Sequence, residues 1–120
     1  MHLKYFKVSG NTLLMEISSE INDTKFKAIC NDLNQAVAAL GIIRMVIVVR
    51  HYPSFNSAED LYDDLRFLRL YDEAIDKVAI VSDRSWKEIW VALFSLFSGI
   101  KMEFFDVSQT KDASDWVQHG

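Results

Sequence analysis

The chain is poor in the residues on which disulfide-rich and metal-stabilised small domains depend. It has a single cysteine, Cys30, so no internal disulfide can form, and no second cysteine or histidine lies beside it at metal-ligand spacing. Cys30 falls within a helical pattern and is predicted to be a small, buried side chain. These absences argue against a disulfide scaffold and against a metal site, and we expect a reducing compartment.

Glycine and clustered positive charge are also scarce. The four glycines, Gly10, Gly41, Gly99 and Gly120, do not have the spacing of a nucleotide-binding loop, and no cofactor is predicted. The formal net charge is −4, and no Lys/Arg-rich stripe could neutralise a row of phosphates, which argues against nucleic acid as a partner. The N-terminal residues lack the pattern of a signal peptide, so the predicted location is the cytoplasm.

What the chain does have is apolar sequence sufficient for one core. Half of its 120 residues are hydrophobic and a quarter are charged, the balance of an ordinary globular protein. No long linker or internal repeat interrupts it. We therefore predict a single domain over residues 1–120.

The hydrophobic periodicity predicts strands alternating with helices. Short apolar, β-branched runs predict strands over residues 3–8, 12–17, 42–49, 77–81 and 101–105. Apolar positions spaced three and four apart predict helices over about 23–40, 57–71, 86–97 and 110–119. This order predicts an α/β fold with one mixed, mainly parallel sheet of four to five strands, an N-terminal antiparallel hairpin and about four helices.

Several of these segments resemble the SpoIIAA-like family, whose fold is related to STAS domains and to lipid-binding CRAL-TRIO domains. The similar segments are the central strand 44–49, the stretches 54–57 and 60–67, the run 78–86, and the shorter motifs at 104–106 and 113–116. The resemblance implies helices mainly on one side of the sheet, no enzymatic activity, and a tie to apolar ligands or membranes.

The resemblance also singles out Ser57. The founding sporulation STAS protein is regulated by phosphorylation of a serine at the start of the helix after the central strand, and Ser57 is the nearest match, with Ser54 close by. The glycine-containing motif of that protein is absent here, and Glu59 and Asp60 would repel a phosphate. A simple helix N-cap is the competing interpretation of Ser57.

The third predicted helix has an unusually wide apolar face. Trp86, Trp90, Leu93, Phe94 and Phe97 belong to an arc wider than contact with a sheet normally requires. The segment is too short to span a bilayer. Three interpretations stay open: complete burial in the core, a homodimer contact, or the wall of an apolar pocket that could also enter a membrane surface.

The second predicted helix could act as a lid over such a pocket. Its stripe includes Leu61, Leu65 and Leu68, and it follows the loop that holds the only proline. Before that loop, Arg50, His51 and Tyr52 follow the central strand, where they could contact the polar head of a ligand.

No complete catalytic set accompanies these residues. His51 has no identifiable Ser, Cys or Asp partner, and the carboxylates of the second helix are spaced as a solvated face. The sequence therefore predicts a noncatalytic domain that binds an apolar or lipid-like molecule, or a membrane surface from the cytoplasm, gated by the second helix. The alternative is a STAS-like module that binds a protein partner and is switched by serine phosphorylation.

Overall fold

The computed structural model describes residues 3–18, 21–49, 58–83, 87–97 and 99–119, with residues 58–61 and 87 described by their backbone alone. The strands are β1 (Lys7–Ser9), β2 (Thr12–Ile17), β3 (Ile43–Val49), β4 (Ile75–Ser82) and β5 (Lys101–Asp106). The helices are α1 (Asp23–Leu40), α2 (Ala58–Leu65), α3 (Phe67–Leu70), α4 (Lys87–Ser95) and α5 (Thr110–His119), the last preceded by a 3-10 turn at Val107–Gln109.

The five strands form one sheet in the order β1-β2-β3-β4-β5. The β1–β2 pair is antiparallel and the other three pairs are parallel, which confirms the predicted mixed sheet with an N-terminal hairpin. Because each parallel crossover moves to the next strand in the same direction, the normal right-handed connection places all the crossover helices on one face. Helices α1 to α4 therefore share one face of the sheet, and α5 packs on the other.

The face under α1 to α4, which we call the helical face, holds most of the core. Buried side chains from β2, β3 and β4 alternate with residues that point to the opposite face, as strand geometry requires. Isoleucine, leucine and alanine from α1 belong to the same core cluster. Its strand members include Leu13, Met15, Ile17, Met45, Ile47, Val78 and Ile80, and its α1 members include Ile29, Leu33 and Ala36.

The opposite face, which we call the α5 face, has a much smaller core. Its buried residues are Val46, Val48, Ala79, Val81, Ala113 and Val117. Trp116 is half-buried beside them, with its ring centroid 6.0 Å from that of Phe105. Among the described helices, only the ten-residue α5 packs on this face, so apolar burial alone gives it limited support.

Basic side chains hold the C-terminal end of α5 to the sheet. Lys77 is only 5% exposed and donates from Nζ to the Trp116 carbonyl oxygen at 3.3 Å. Its neighbour across the strands, Arg44, donates from Nη1 to the Gln118 carbonyl oxygen at 3.4 Å and forms an ion pair with Asp76. Cations stabilise the partial negative charge and unpaired carbonyls at a helix C-terminus.

The first strand is shorter than the sequence predicts. A strand over 3–8 is wrong, because Leu3 and Phe6 are both buried in the helical-face core and the chain must leave the sheet edge to bury them. The Tyr5 backbone N–H donates to Oδ2 of the buried Asp32 at 2.9 Å and fixes this departure. Only Lys7–Ser9 pairs with β2.

The second predicted helix is divided in two at Arg66. A continuous helix over about 57–71 would direct Phe67 away from the stripe formed by Leu65 and Leu68, yet all three side chains are fully buried. The chain tightens here into i→i+3 hydrogen bonds, with the Arg69 N–H donating to the Arg66 carbonyl at 3.0 Å. This change in winding turns Phe67 into the core.

Candidate functional site

The carboxyl ends of the parallel strands mark the edge at which α/β domains usually bind their partners. β2, β3 and β4 run in the same direction and end at Ile17, Val49 and Ser82. The described starts of α1, α2 and α4 follow these ends in the chain, so helix N-termini gather at this edge. Asn22 caps α1, its Oδ1 accepting from the Lys25 N–H at 2.8 Å.

Several sequence-predicted site residues lie in the sequence between these strands and the helices that follow them. Arg50, His51, Tyr52, Ser54 and Ser57 lie outside the described residues. Trp86 also lies outside them, and Leu61 is described by its backbone alone. The proposed polar contacts and the phosphorylation site therefore stay predictions.

The remaining apolar site residues are brought together, but in the core. Trp90, Leu93 and Phe97 of the α4 region are between 0 and 2% exposed, and Leu65 and Leu68 are fully buried. All five belong to the core cluster of the helical face. Their side chains are covered by other protein groups in this conformation.

Aromatic neighbours close the space around α4. The Trp90 ring stacks on Phe104 of β5 with centroids 5.4 Å apart, and Phe97 packs against Tyr62 of α2 with centroids 5.0 Å apart. Such ring pairs add about 0.5–1.5 kcal/mol each beyond the area they bury. Phe94 is half-buried at the margin of the same cluster. Sheet and α2 together thus account for the buried part of the wide apolar face of α4.

A second contact joins α3 to α1. The Tyr71 hydroxyl, just after α3, donates to the Cys30 carbonyl oxygen at 3.0 Å and lies 2.8 Å from Asn34 Oδ1. Burial raises the pKa of Tyr71, and the neighbouring Cys30 raises it further. Burial likewise raises the pKa of the Cys30 thiol, which agrees with an unreactive cysteine. The contact joins the end of the predicted lid to α1.

A groove of about 760 Å³ lies beside β1 and β2, at the edge of the sheet opposite β5. It is lined by the N-terminal segment 3–8, the end of β2 and Val48, rather than by α2 or α4. Its walls mix the charged side chains of Lys4, Lys7 and Glu16 with apolar ones. Hydrophobic periodicity does not predict this groove, because the departure of residues 3–6 from the sheet edge creates it.

The outward surface of α4 is a further feature that sequence reasoning did not separate from the core stripe. Its exposed residues are Glu88, Val91, Ala92 and Ser95 of the helix and Leu96 just after it. Val91 is 69% exposed, and only Glu88 among these five is charged. The outward surface of α1, in contrast, exposes Asp23, Lys27, Asn31, Asn34 and Gln35. We call the five-residue surface the outer face of α4.

Two other structural features are absent from the described parts of the chain. No group of three or more His, Cys, Asp or Glu side chains there could hold a metal ion. No helix in those same ranges is long and apolar enough to cross a membrane.

Comparison with protein families matches the SpoIIAA-like model over residues 12–118. The chain therefore belongs to the SpoIIAA-like family, which confirms the resemblance seen in its strands and helices. Searches of curated proteins and of solved structures gave no significant match.

Proposed function

We propose that this SpoIIAA-like domain is a noncatalytic regulatory module that acts by binding another protein, as its STAS-like architecture implies. The observation that carries the proposal is the closed packing between α2, α4 and the sheet. A domain built to hold an apolar ligand there would need these helices to line a cavity. Of the side chains that would line it, Trp90, Leu93 and Phe97 belong to the core, as do Leu65 and Leu68.

Opening this core to admit a ligand would be costly. Trp90, Leu93 and Phe97 would each lose about 1.5–3 kcal/mol of burial if they were exposed to water. The contacts between a ligand and the protein would first have to offset that lost free energy before any net binding resulted. A protein partner that binds the existing surface avoids this cost, because the core does not have to open.

The proposed surface for the partner is the edge of the sheet where α1, α2 and α4 begin. Ser57 immediately precedes the described start of α2, and the family resemblance makes it the proposed switch. A phosphate at a helix N-terminus gains from the helix dipole, whereas Glu59 and Asp60 would oppose it. Phosphorylation would therefore change the charge that this edge presents to the partner.

The test begins by identifying a partner and then measures whether Ser57 controls its affinity. Tagged protein is purified from the cells that make it, and its copurifying protein is titrated by calorimetry against wild type, Ser57→Asp and Ser57→Ala. We expect the dissociation constants of the two variants to differ by about tenfold or more, because only Ser57→Asp adds charge. The matched control is Ser9→Asp, since Ser9 is exposed and pairs with Thr12 at the opposite edge of the sheet.

Equal affinities for Ser57→Asp and Ser57→Ala would contradict the serine switch. A change of the same size in Ser9→Asp would show that added charge acts without regard to position, which would contradict the proposed edge. Mass spectrometry of the purified protein gives an independent check, because the switch requires a phosphate at Ser57 in some growth conditions.

A second candidate function is the binding of a lipid-like molecule or a membrane surface. The observation in its favour is the exposed apolar surface near α4, where Val91 and Leu70 are 69% and 64% exposed. Arg50, His51 and Tyr52 would then contact the polar head. Flotation with neutral and with anionic vesicles tests it directly. Flotation that is lost in a folded Val91→Glu variant would favour this function over the first, and its absence on both lipids would exclude the membrane surface.

A further inference from the structure

The outer face of α4 continues beyond the helix into a patch with opposite charges at its two ends. Leu96, at 38% exposure, follows the helix, and Leu70 at the end of α3 is 64% exposed. Arg69 donates from Nη1 to the Leu96 carbonyl oxygen at 3.0 Å, which places its guanidinium at the C-terminal end of α4. Glu88 lies in the first turn, at the other end.

We infer that this patch binds a second copy of the chain through antiparallel, two-fold packing of α4 against its mate. In an isologous contact, each residue meets the partner residue that the symmetry axis dictates. If the axis passes near Ala92, the N-terminal end of one α4 lies against the C-terminal end of the other. Glu88 of each copy then faces Arg69 of its mate, and the pairing occurs twice.

The dimensions of the helix suit this arrangement. Glu88 and Ser95, near the two ends of α4, are seven residues apart, which corresponds to about 10 Å along a helix axis, and Ala92 lies close to the middle. A small residue at the crossing point allows two helices to approach to about 8 Å. At that separation an arginine at one end can reach a glutamate at the facing end. Val91 and Leu96 flank the crossing and would be covered by the mate.

The distribution of charge on this patch favours binding of a second copy of the chain over binding of an unrelated partner. Apart from Glu88, the outer face of α4 carries no charged residue, so its apolar middle would be covered by an equally apolar middle. The two charged ends are complementary only when the helices are antiparallel. A patch of this size belongs with small interfaces, so we expect a dimer with a micromolar dissociation constant. This contact uses the outward surface of α4 and meets the sheet edge assigned above to partner binding only at Glu88.

Sedimentation equilibrium between about 5 and 500 µM protein tests the dimer, and variants that exchange the charges of Glu88 and Arg69 test its geometry. We expect wild type to dimerise reversibly. Val91→Glu should raise the dissociation constant about tenfold or more, because it places two carboxylates in the apolar middle. Ile42→Glu is the control, since Ile42 is also exposed but lies before β3, and its dissociation constant should stay within about twofold of wild type.

The charge variants are specific to the antiparallel geometry. Glu88→Arg and Arg69→Glu should each raise the dissociation constant about fivefold or more, because each puts like charges together at both symmetric contacts. The double variant Glu88→Arg/Arg69→Glu should return to within about threefold of wild type. Thermal melting of each variant checks that it is folded.

Cross-linking gives a second readout of the same geometry. In a Cys30→Ser background, Ala92→Cys should oxidise to a covalent dimer, because the two introduced thiols meet near the axis. Ala38→Cys, on the exposed surface of α1, is the control and should not. Wild type that is monomeric throughout the concentration range would overturn the inference, even if it floated with vesicles. A dimer that Val91→Glu leaves intact, or a double variant as weak as the single ones, would also overturn it.

Discussion

The two faces of the sheet are stabilised in different ways. The helical face is covered by α1 to α4 and buries large apolar and aromatic side chains such as Trp90, Phe67 and Phe97. The α5 face buries mainly valine and alanine beneath one short helix, and its support includes the polar contacts of Lys77 and Arg44. Apolar burial dominates on one face, whereas on the other it is supplemented by charge at a helix end.

This difference indicates which parts of the molecule can change without loss of the fold. Stability concentrates on the helical face, where removal of a side chain leaves a cavity that rigid neighbours cannot fill. The α5 face should tolerate truncation better, because its half-buried groups can rearrange into solvent. Regulation that does not disturb the fold is therefore expected at surfaces and edges rather than between α2, α4 and the sheet.

A matched pair of tryptophan truncations should separate the two faces most strongly. Trp90→Ala should lower the free energy of unfolding by about 3–5 kcal/mol, because it empties a fully packed site. Trp116→Ala should lower it by only about 1–2.5 kcal/mol, since Trp116 is half-buried and contacts Phe105 from the edge of a small cluster. Urea denaturation measures both. Equal losses of unfolding free energy in the two variants would contradict the difference between the two faces.

Removal of the buried cation Lys77 tests the role of charge on the α5 face. Lys77→Met should lower the free energy of unfolding by about 1–2 kcal/mol, because it removes the donor to the Trp116 carbonyl and the cation at the α5 C-terminus. Lys101 pairs with Lys77 in the β4–β5 register but is exposed, so Lys101→Met should change stability by less than about 0.5 kcal/mol. Loss of helical circular dichroism in Lys77→Met alone would locate the effect at α5.

The smallest effect concerns the polar contact on the helical face. Tyr71→Phe should lower the free energy of unfolding by about 0.5–1.5 kcal/mol, because it removes the hydroxyl that donates to the Cys30 carbonyl. Burial raises the pKa of Tyr71 from its ordinary value of 10.0, so the folded state favours the neutral phenol. The difference between wild type and Tyr71→Phe should therefore be constant below pH 10 and shrink as the pH rises above it. A difference that grows in alkali would contradict this contact.

The order of the elements could be predicted because periodicity reports it directly. β2 begins and ends where its alternating sequence predicts, and Asn22 and Gly41 bound α1 as expected. Local pattern could not anticipate the division of the second helix at Arg66, because it results from burying Phe67 and Leu68 together. The shortened first strand has a similar cause, since Asp32 of α1 binds the Tyr5 N–H from a distance of 27 residues in sequence.

The candidate site was harder to predict for a related reason. A helical wheel shows that α4 is widely apolar, but it does not tell which residues the sheet covers. Trp90 and Phe97 turned out to be core, while Val91 and Leu96 form the exposed remainder. Lys77 is the other example, because a lysine within an apolar strand gives no sign in the sequence that a helix end will lie above it.

The measurement that tests the closed core most directly follows Trp90 alone. In the variant Trp86→Phe/Trp116→Phe, Trp90 is the only remaining tryptophan, and its fluorescence is recorded with neutral and with anionic vesicles containing brominated lipids. We expect emission typical of a buried indole, little quenching by acrylamide, and no change when vesicles are added. Quenching of Trp90 by the brominated lipids would contradict it, because the ring would then have left the core for the membrane.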